Sequence, residues 1–193
     1  MIELVGDRFI LDLKYNSTNN FLKKNLYAEF GLSKCYVHPD LHAKLVQLEK
    51  ILIEKKLKLV VYDGYRPVEV QQQMWNAVPD ERYIANPQKG SNHNRGIAID
   101  CGLAKEDGTY LQFPTEFDDF SEKAWHAHIC SAQDAQLCKN RDLLHGMMES
   151  IGLVTYPTEW WHYQLPNSSR YPIIQVSEVL RGLISNNSNA VQF

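Results

Sequence analysis

Apolar residues recur at helical spacing from Leu41 through Leu45 and Leu48 to Leu52, and Pro39 ahead of them suits a first helical turn. The pattern predicts a helix over 39–56. A short apolar run over 57–62 then predicts a buried strand ending in the turn Asp63-Gly64-Tyr65-Arg66-Pro67. Residues 68–78 read as a second helix and 97–101 as a strand. A later helix is expected over 132–150. Ser131 stands at its N-cap, Leu137, Leu144, Met147, Met148 and Ile151 supply an apolar stripe, and Gly152 fits the stop. Residues 159–165 read as a strand or strand-turn. Short strands interspersed with helices, without regular βαβ alternation, predict an α+β fold. No repeat, low-complexity block or linker divides the sequence. A single domain is expected over 1–193, with the Asn- and Ser-rich end, 185–193, fraying.

The 193 residues suffice for one well-buried core and are short for two. At 44% hydrophobic and 22% charged, the composition excludes a disordered or collagen-like chain. The net charge is −3 and the lysines and arginines are scattered. Without a basic stripe, nucleic acid is not an expected partner. No run approaches the 18 apolar residues that a membrane span needs. Acids near Met1 occupy the place where a signal peptide carries a basic region and an apolar run, so a cytoplasmic enzyme is expected. An export signal removed from upstream would make it periplasmic. Cys35, Cys101, Cys130 and Cys138 form no C-x-x-C pair. Cys130 and Cys138 lie eight apart, and eight helical residues span about 12 Å, beyond disulfide reach. Reduced, mostly buried thiols are therefore expected.

The candidate chemistry lies in two stretches, 91–100 and 159–162. Along 96–100, strand alternation places Gly96, Ala98 and Asp100 on one face and the core-facing Ile97 and Ile99 on the other. Asp100 then looks out over a floor of small side chains. His93 lies at an odd offset from Asp100, so a turn through Asn94, Arg95 and Gly96 must fold it back, with Gly96 supplying the unusual dihedrals. Glu159 and His162 share a face in a tight turn but not in a flat strand, and Trp160 and Trp161 between them are suited to drying a site. Two imidazoles and a carboxylate (His93, His162 and Asp100) would hold one Zn²⁺ with a coordination position open to water. Glu159 is placed to act as the base that takes the water's proton. Arg66 is the candidate for stabilising an oxyanion, although residue type and turn position alone favour a surface arginine. His38, His42, His126, His128 and His145 lack such a pattern and read as structural or solvated.

The stretch Ser-x-His-x-x-Gly-x-Ala-x-Asp (91–100), the block Glu-Trp-Trp-His (159–162) and Asp-Gly-Tyr-Arg-Pro (63–67) together resemble the D-alanyl-D-alanine dipeptidases. These are VanX-like zinc metallopeptidases associated with glycopeptide (antibiotic) resistance and with the use of D-amino-acid dipeptides. Further similarity runs through Asp12-Leu13-Lys14-Tyr15, residues 117–121 and residues 140–144. The resemblance implies a hedgehog-like and D-Ala-D-Ala-carboxypeptidase-like fold, an antiparallel sheet cradling zinc with helices outside. It implies zinc on His93, Asp100 and His162, the base at Glu159 and transition-state stabilisation by Arg66. It also implies that Tyr15, Ser91 and Asp118 line a small pocket around the dipeptide and its charged ends. One departure stands out: the family's Met-Gly-Thr-Pro-Phe-Asp is here Phe-Pro-Thr-Glu-Phe-Asp (113–118), with Pro114 fixing the backbone and Glu116 adding charge to the expected pocket wall. The expected activity is hydrolysis of D-Ala-D-Ala or a similar D,D-dipeptide. The alternatives are a zinc D,D-carboxypeptidase acting on longer cell-wall (peptidoglycan) peptides, or a non-catalytic zinc module. The oligomeric state is not legible.

Overall fold

The computed structural model describes residues 1–189. A two-residue strand β1 (Ile2–Glu3) pairs antiparallel with β3 (Tyr36–Val37), and β2 (Phe9–Leu11) lies between them in sequence. Helix α1 (Pro39–Lys55) follows, with Pro39 in its first turn and the His38 ring accepting from the Asp40 N–H. Histidine thus serves as the N-cap acceptor that Ser or Asp usually provides. Lys56 closes the helix in the left-handed conformation, and β4 (Leu57–Asp63) begins at once. After the turn at 64–67 come α2 (Val68–Ala77), a long irregular segment and β5 (Ala98–Lys105). The remaining elements are α3 (Ala135–Ser150), β6 (Val154–Tyr156), β7 (Glu159–Gln164) and α4 (Val176–Asn189). The expected frayed tail, 185–193, overlaps the end of α4, and 190–193 lie outside the described residues. No helix among the described residues is long and apolar enough to cross a membrane.

The main sheet has the order β2-β4-β5-β7-β6. It is antiparallel except at its edge, where β2 runs parallel to β4, so the expected all-antiparallel sheet is corrected to a mixed one. The α+β class stands. Strand β5 runs four residues past the expected end at Cys101, because its pairing with β4 continues to Lys105. Helix α1 packs on β4, and α3 packs on β5, β6 and β7. Leu41, Leu45, Leu48 and Leu52 are fully buried, joining Leu59, Ile97, Ile99, Leu144 and Met148 in one core. Each such side chain contributes about 1.5–3 kcal/mol by leaving water.

Helix α3 starts three residues later than expected. Ser131 accepts from the Asp134 N–H in a preceding turn and does not cap the helix. Cys130 therefore lies outside the helix, its Cα is 6.0 Å from that of Cys138, and the two form a disulfide. The expectation of reduced thiols fails at this pair because it assumed continuous helix between them. It holds for Cys35 and Cys101, which are free and buried. Arg141 reinforces the same junction, donating from α3 to the carbonyls of Trp125 and His128.

Candidate metal centre and active site

Gly96 has φ +67° and ends the short turn that His93 begins, which brings the His93 ring back over the sheet. Asp100 on β5 and His162 on β7 are direct register partners, so their side chains rise together. The three donor atoms form a tight triangle: His162 Nδ1 to Asp100 Oδ1 3.0 Å, His93 Nε2 to His162 Nδ1 3.2 Å, and His93 Nε2 to Asp100 Oδ1 3.3 Å. Donors bound at about 2.0 Å to one tetrahedral cation lie about 3.3 Å apart, so the residues fit a metal ion. They are a His-Asp-His group that could hold one, and all three are buried. The outward ring nitrogens are also engaged: His93 Nδ1 donates to the Gly64 carbonyl (2.8 Å) and His162 Nε2 to Gln164 Oε1 (2.8 Å). With those protons in place, each neutral ring presents a lone pair to the triangle.

The small residues flanking Asp100 do not provide the open floor expected of them. A side chain at Gly96 would collide with the Met1 side chain, and Ala98 is fully buried. Room for a ligand lies to the side, in a cleft of about 160 Å³ lined by Tyr15, Arg66, Ser91, Asp118, Glu159 and Trp161 among others.

Glu159 reaches this cleft through an irregularity of its strand. Thr155 pairs with Tyr163 but the next residue, Tyr156, pairs with Glu159, leaving three residues of β7 without partners on β6. The bend returns Glu159 to the side of His162, with Oε2 3.8 Å from Nδ1, which a flat strand forbids. Burial pushes the Glu159 carboxyl up to about 8, against the pull of His162 and with Asp100 adding to the rise. Burial also opposes the charge on Asp100, yet His93 and His162 prevail and hold it well below the usual carboxylate range. Of the two tryptophans only Trp161 lines the cleft. Trp160 is a core residue, stacked on Phe113 at 4.0 Å and donating to Thr115.

Arg66 is buried, not a surface turn residue. Its Nε donates to Asp63 (2.9 Å), Nη1 to Gln71 (2.9 Å) and Nη2 to Asp100 (3.4 Å), with the Tyr15 ring beneath at 4.9 Å. Asp63 is itself held by the Tyr27 hydroxyl at 2.5 Å. Asn94, fully buried, bonds the Arg66 carbonyl and so joins the turn of His93 to the turn of Arg66. Asp63, Tyr27, Gln71 and Asn94 are supports that residue type alone does not reveal, although Asp63 opens the quoted Asp-Gly-Tyr-Arg-Pro motif.

Tyr15 donates to Asp118 Oδ1 (2.8 Å), while Asp118 Oδ2 is buried without a partner. Asp118 has φ +63°, and burial lifts its carboxyl to about 7 against the Tyr15 hydrogen bond. Ser91 lines the cleft, and its hydroxyl accepts the His93 N–H at 3.2 Å. Glu116 is exposed and faces a second hollow with Lys14 and Lys23, so it is absent from the wall of the cleft. The spare histidines stay outside as well: the His126 and His145 rings lie tilted against each other, centroids 5.0 Å apart, and burial, His145 and Arg141 lower His126 to about 4.

The chain is 36% identical to the D-alanyl-D-alanine dipeptidase of Escherichia coli (strain K12) over 164 residues, covering 85% of this chain and 82% of that one. It is 31% identical to the D-alanyl-D-alanine dipeptidase of Enterococcus faecium over 182 residues, covering 81% and 88%. Among solved structures it is similar, at 15% identity and a TM-score of 0.42, to a vancomycin-resistance D,D-pentapeptidase VanY, over 77% of this chain and 86% of that one. The sequence model of the M15 peptidase family described as D-ala-D-ala dipeptidase matches residues 2–178. The chain belongs to the D-alanyl-D-alanine dipeptidase family of M15 metallopeptidases.

Proposed function

We propose that the protein hydrolyses D-Ala-D-Ala or a similar small D,D-dipeptide, with one Zn²⁺ per chain on His93, Asp100 and His162. The observation that carries this reading is the donor triangle with Glu159 beside it. A module that only braces a fold needs three or four ligands and no adjacent carboxylate with a raised pKa. When bound, zinc supplies the positive charge that makes a water acidic enough to attack near neutral pH. Glu159, its carboxylate favoured by a cation bound nearby, would take that water's proton and return it to the leaving amine. Arg66, locked by Asp63 and Gln71, offers a fixed cation at the rim of the ligand set, where the carbonyl oxygen gains negative charge. The unpartnered Oδ2 of Asp118 suits a substrate ammonium, since a buried lone carboxylate oxygen is costly and a desolvated ammonium needs an anion. Tyr15 aims that carboxylate, and Ser91 shapes the turn at the cleft edge.

Cleft size favours the dipeptide over a longer cell-wall peptide, because about 160 Å³ is small beside the 300–1,000 Å³ of sites for drug-sized ligands. The test is to assay zinc-loaded protein on free D-Ala-D-Ala, on its N-blocked form and on a longer peptide ending in D-Ala-D-Ala. Cleavage of the free dipeptide alone is expected. Cleavage of only the longer peptide would make it a carboxypeptidase, and no cleavage would leave a zinc-binding module.

A further inference from the structure

The two ligand rings are fixed in their tautomers by different means. His93 donates Nδ1–H to a main-chain carbonyl, that of Gly64, which no side-chain substitution removes. His162 depends on a side chain. Its Nδ1 faces Asp100 and His93, and Nδ1 must be without a proton to bind a cation there, so the ligating ring carries its proton on Nε2. Nε2 lies 2.8 Å from Gln164 Oε1, two residues along β7 and on the same face. Only the oxygen end of the Gln164 amide stabilises that tautomer. Turned over, the amide would present N–H groups to Nε2, draw the ring proton to Nδ1 and place it inside the donor triangle.

A second contact chooses the amide orientation. Asn92 Nδ2 donates to the same Gln164 Oε1 at 2.6 Å, so two donors converge on one oxygen. Reversing Gln164 would oppose N–H groups at both. Asn92 is fixed in turn by its main-chain carbonyl, which accepts from the N–H groups of Arg95 and Ile97 within the His93 turn. The residue before one ligand thereby disciplines the ring of the other.

We propose that Gln164, oriented by Asn92, is a positioning residue that holds His162 with Nδ1 free and so sets the affinity of the centre for its metal. This rests on the reading that His93, Asp100 and His162 hold a divalent cation. The test measures zinc dissociation constants by chelator competition on the full chain, for wild type, Gln164→Met, Gln164→Glu and Asn92→Leu. Melting temperatures of the metal-free proteins and ¹⁵N ring shifts of His162 in zinc-loaded wild type accompany them. Gln164→Met, close in shape but without an acceptor, is expected to bind zinc about 10–100-fold more weakly at a near-unchanged metal-free melting temperature. Gln164→Glu, whose carboxylate only accepts, is expected to restore affinity. Asn92→Leu is expected to lose less than Gln164→Met. The ring shifts of wild type are expected to show the proton on Nε2. Zinc affinity of Gln164→Met within about twofold of wild type, or a wild-type His162 proton on Nδ1, overturns the proposal. The ring measurement decides even if a variant fails to fold. A wild type that binds no zinc defeats the metal reading itself, a different result from a wild type and a Gln164→Met that bind equally.

Discussion

Glu159, Arg66 and Asp118 serve the cleft in different ways, and substitutions should separate them. Glu159 Oε2 is 3.8 Å from His162 Nδ1, beyond hydrogen-bond reach, and the residue stands outside the His-Asp-His group, so Glu159→Gln is expected to keep zinc while turnover falls about 10²–10⁴-fold. Metal analysis beside a rate assay checks this, and loss of metal would make Glu159 a ligand. Arg66→Ala removes the partner of two buried carboxylates, Asp63 and Asp100, so it should destabilise the fold by about 3–5 kcal/mol in denaturant titration as well as depress kcat. A stable Arg66→Ala with raised KM alone would make it a clamp for the substrate carboxylate. Asp118, lifted to about 7, is protonated below that pH and then cannot pair with an ammonium. kcat/KM for the dipeptide is expected to fall as pH drops through about 7. Asp118→Asn should abolish the Asp118 contribution to that limb and lower kcat/KM about 10–100-fold at pH 8. At this scale the sequence is most legible where chemistry restricts the residue type. His93, Asp100, His162 and Glu159 can be picked out because few side chains bind a metal or accept a proton. Gln164, Asn94 and Gln71 cannot, since an amide's task depends on the partner that folding brings to it.

Helix and strand centres are readable from their apolar periods, and their ends decide the finer outcomes. The leucine stripe locates α1 to within a residue, and Gly96 announces the turn that folds His93 back. The start of α3 is less legible, because Ser131 and Asp134 are both acceptable caps and the choice rests on tertiary contacts from Arg141. Those three residues decide whether Cys130 and Cys138 can meet. The disulfide closes a short loop, and its removal in Cys138→Ser is expected to lower stability by about 2–3 kcal/mol in oxidising buffer. Under reducing conditions the difference from wild type should vanish, which melting curves with and without reductant can show. The bend in β7 is likewise hidden from sequence periodicity, since alternation along 159–162 separates Glu159 from His162 and only pairing with β6 and β5 reunites them.

Across the whole molecule, the leucines of α1 lie outside the cleft lining, so stability and metal binding should be separable in one direction. Leu45→Ala is expected to cost about 2–5 kcal/mol, with zinc affinity in the folded protein unchanged within about twofold. The coupling in the other direction is strong. A ligand present only in the native state stabilises it by ~2.7 kcal/mol at 100 times its dissociation constant, about 5–10 °C for a chain of this length. Asp100 and His162 sit on neighbouring strands as direct register partners. Slippage of that pairing by a single position would turn one of them to the opposite side of the sheet and scatter the chelating set. Cation capture would thus act as a proofreader of strand alignment, rewarding correctly paired chains and leaving misaligned ones with the Asp100 carboxylate stranded apart from its imidazoles.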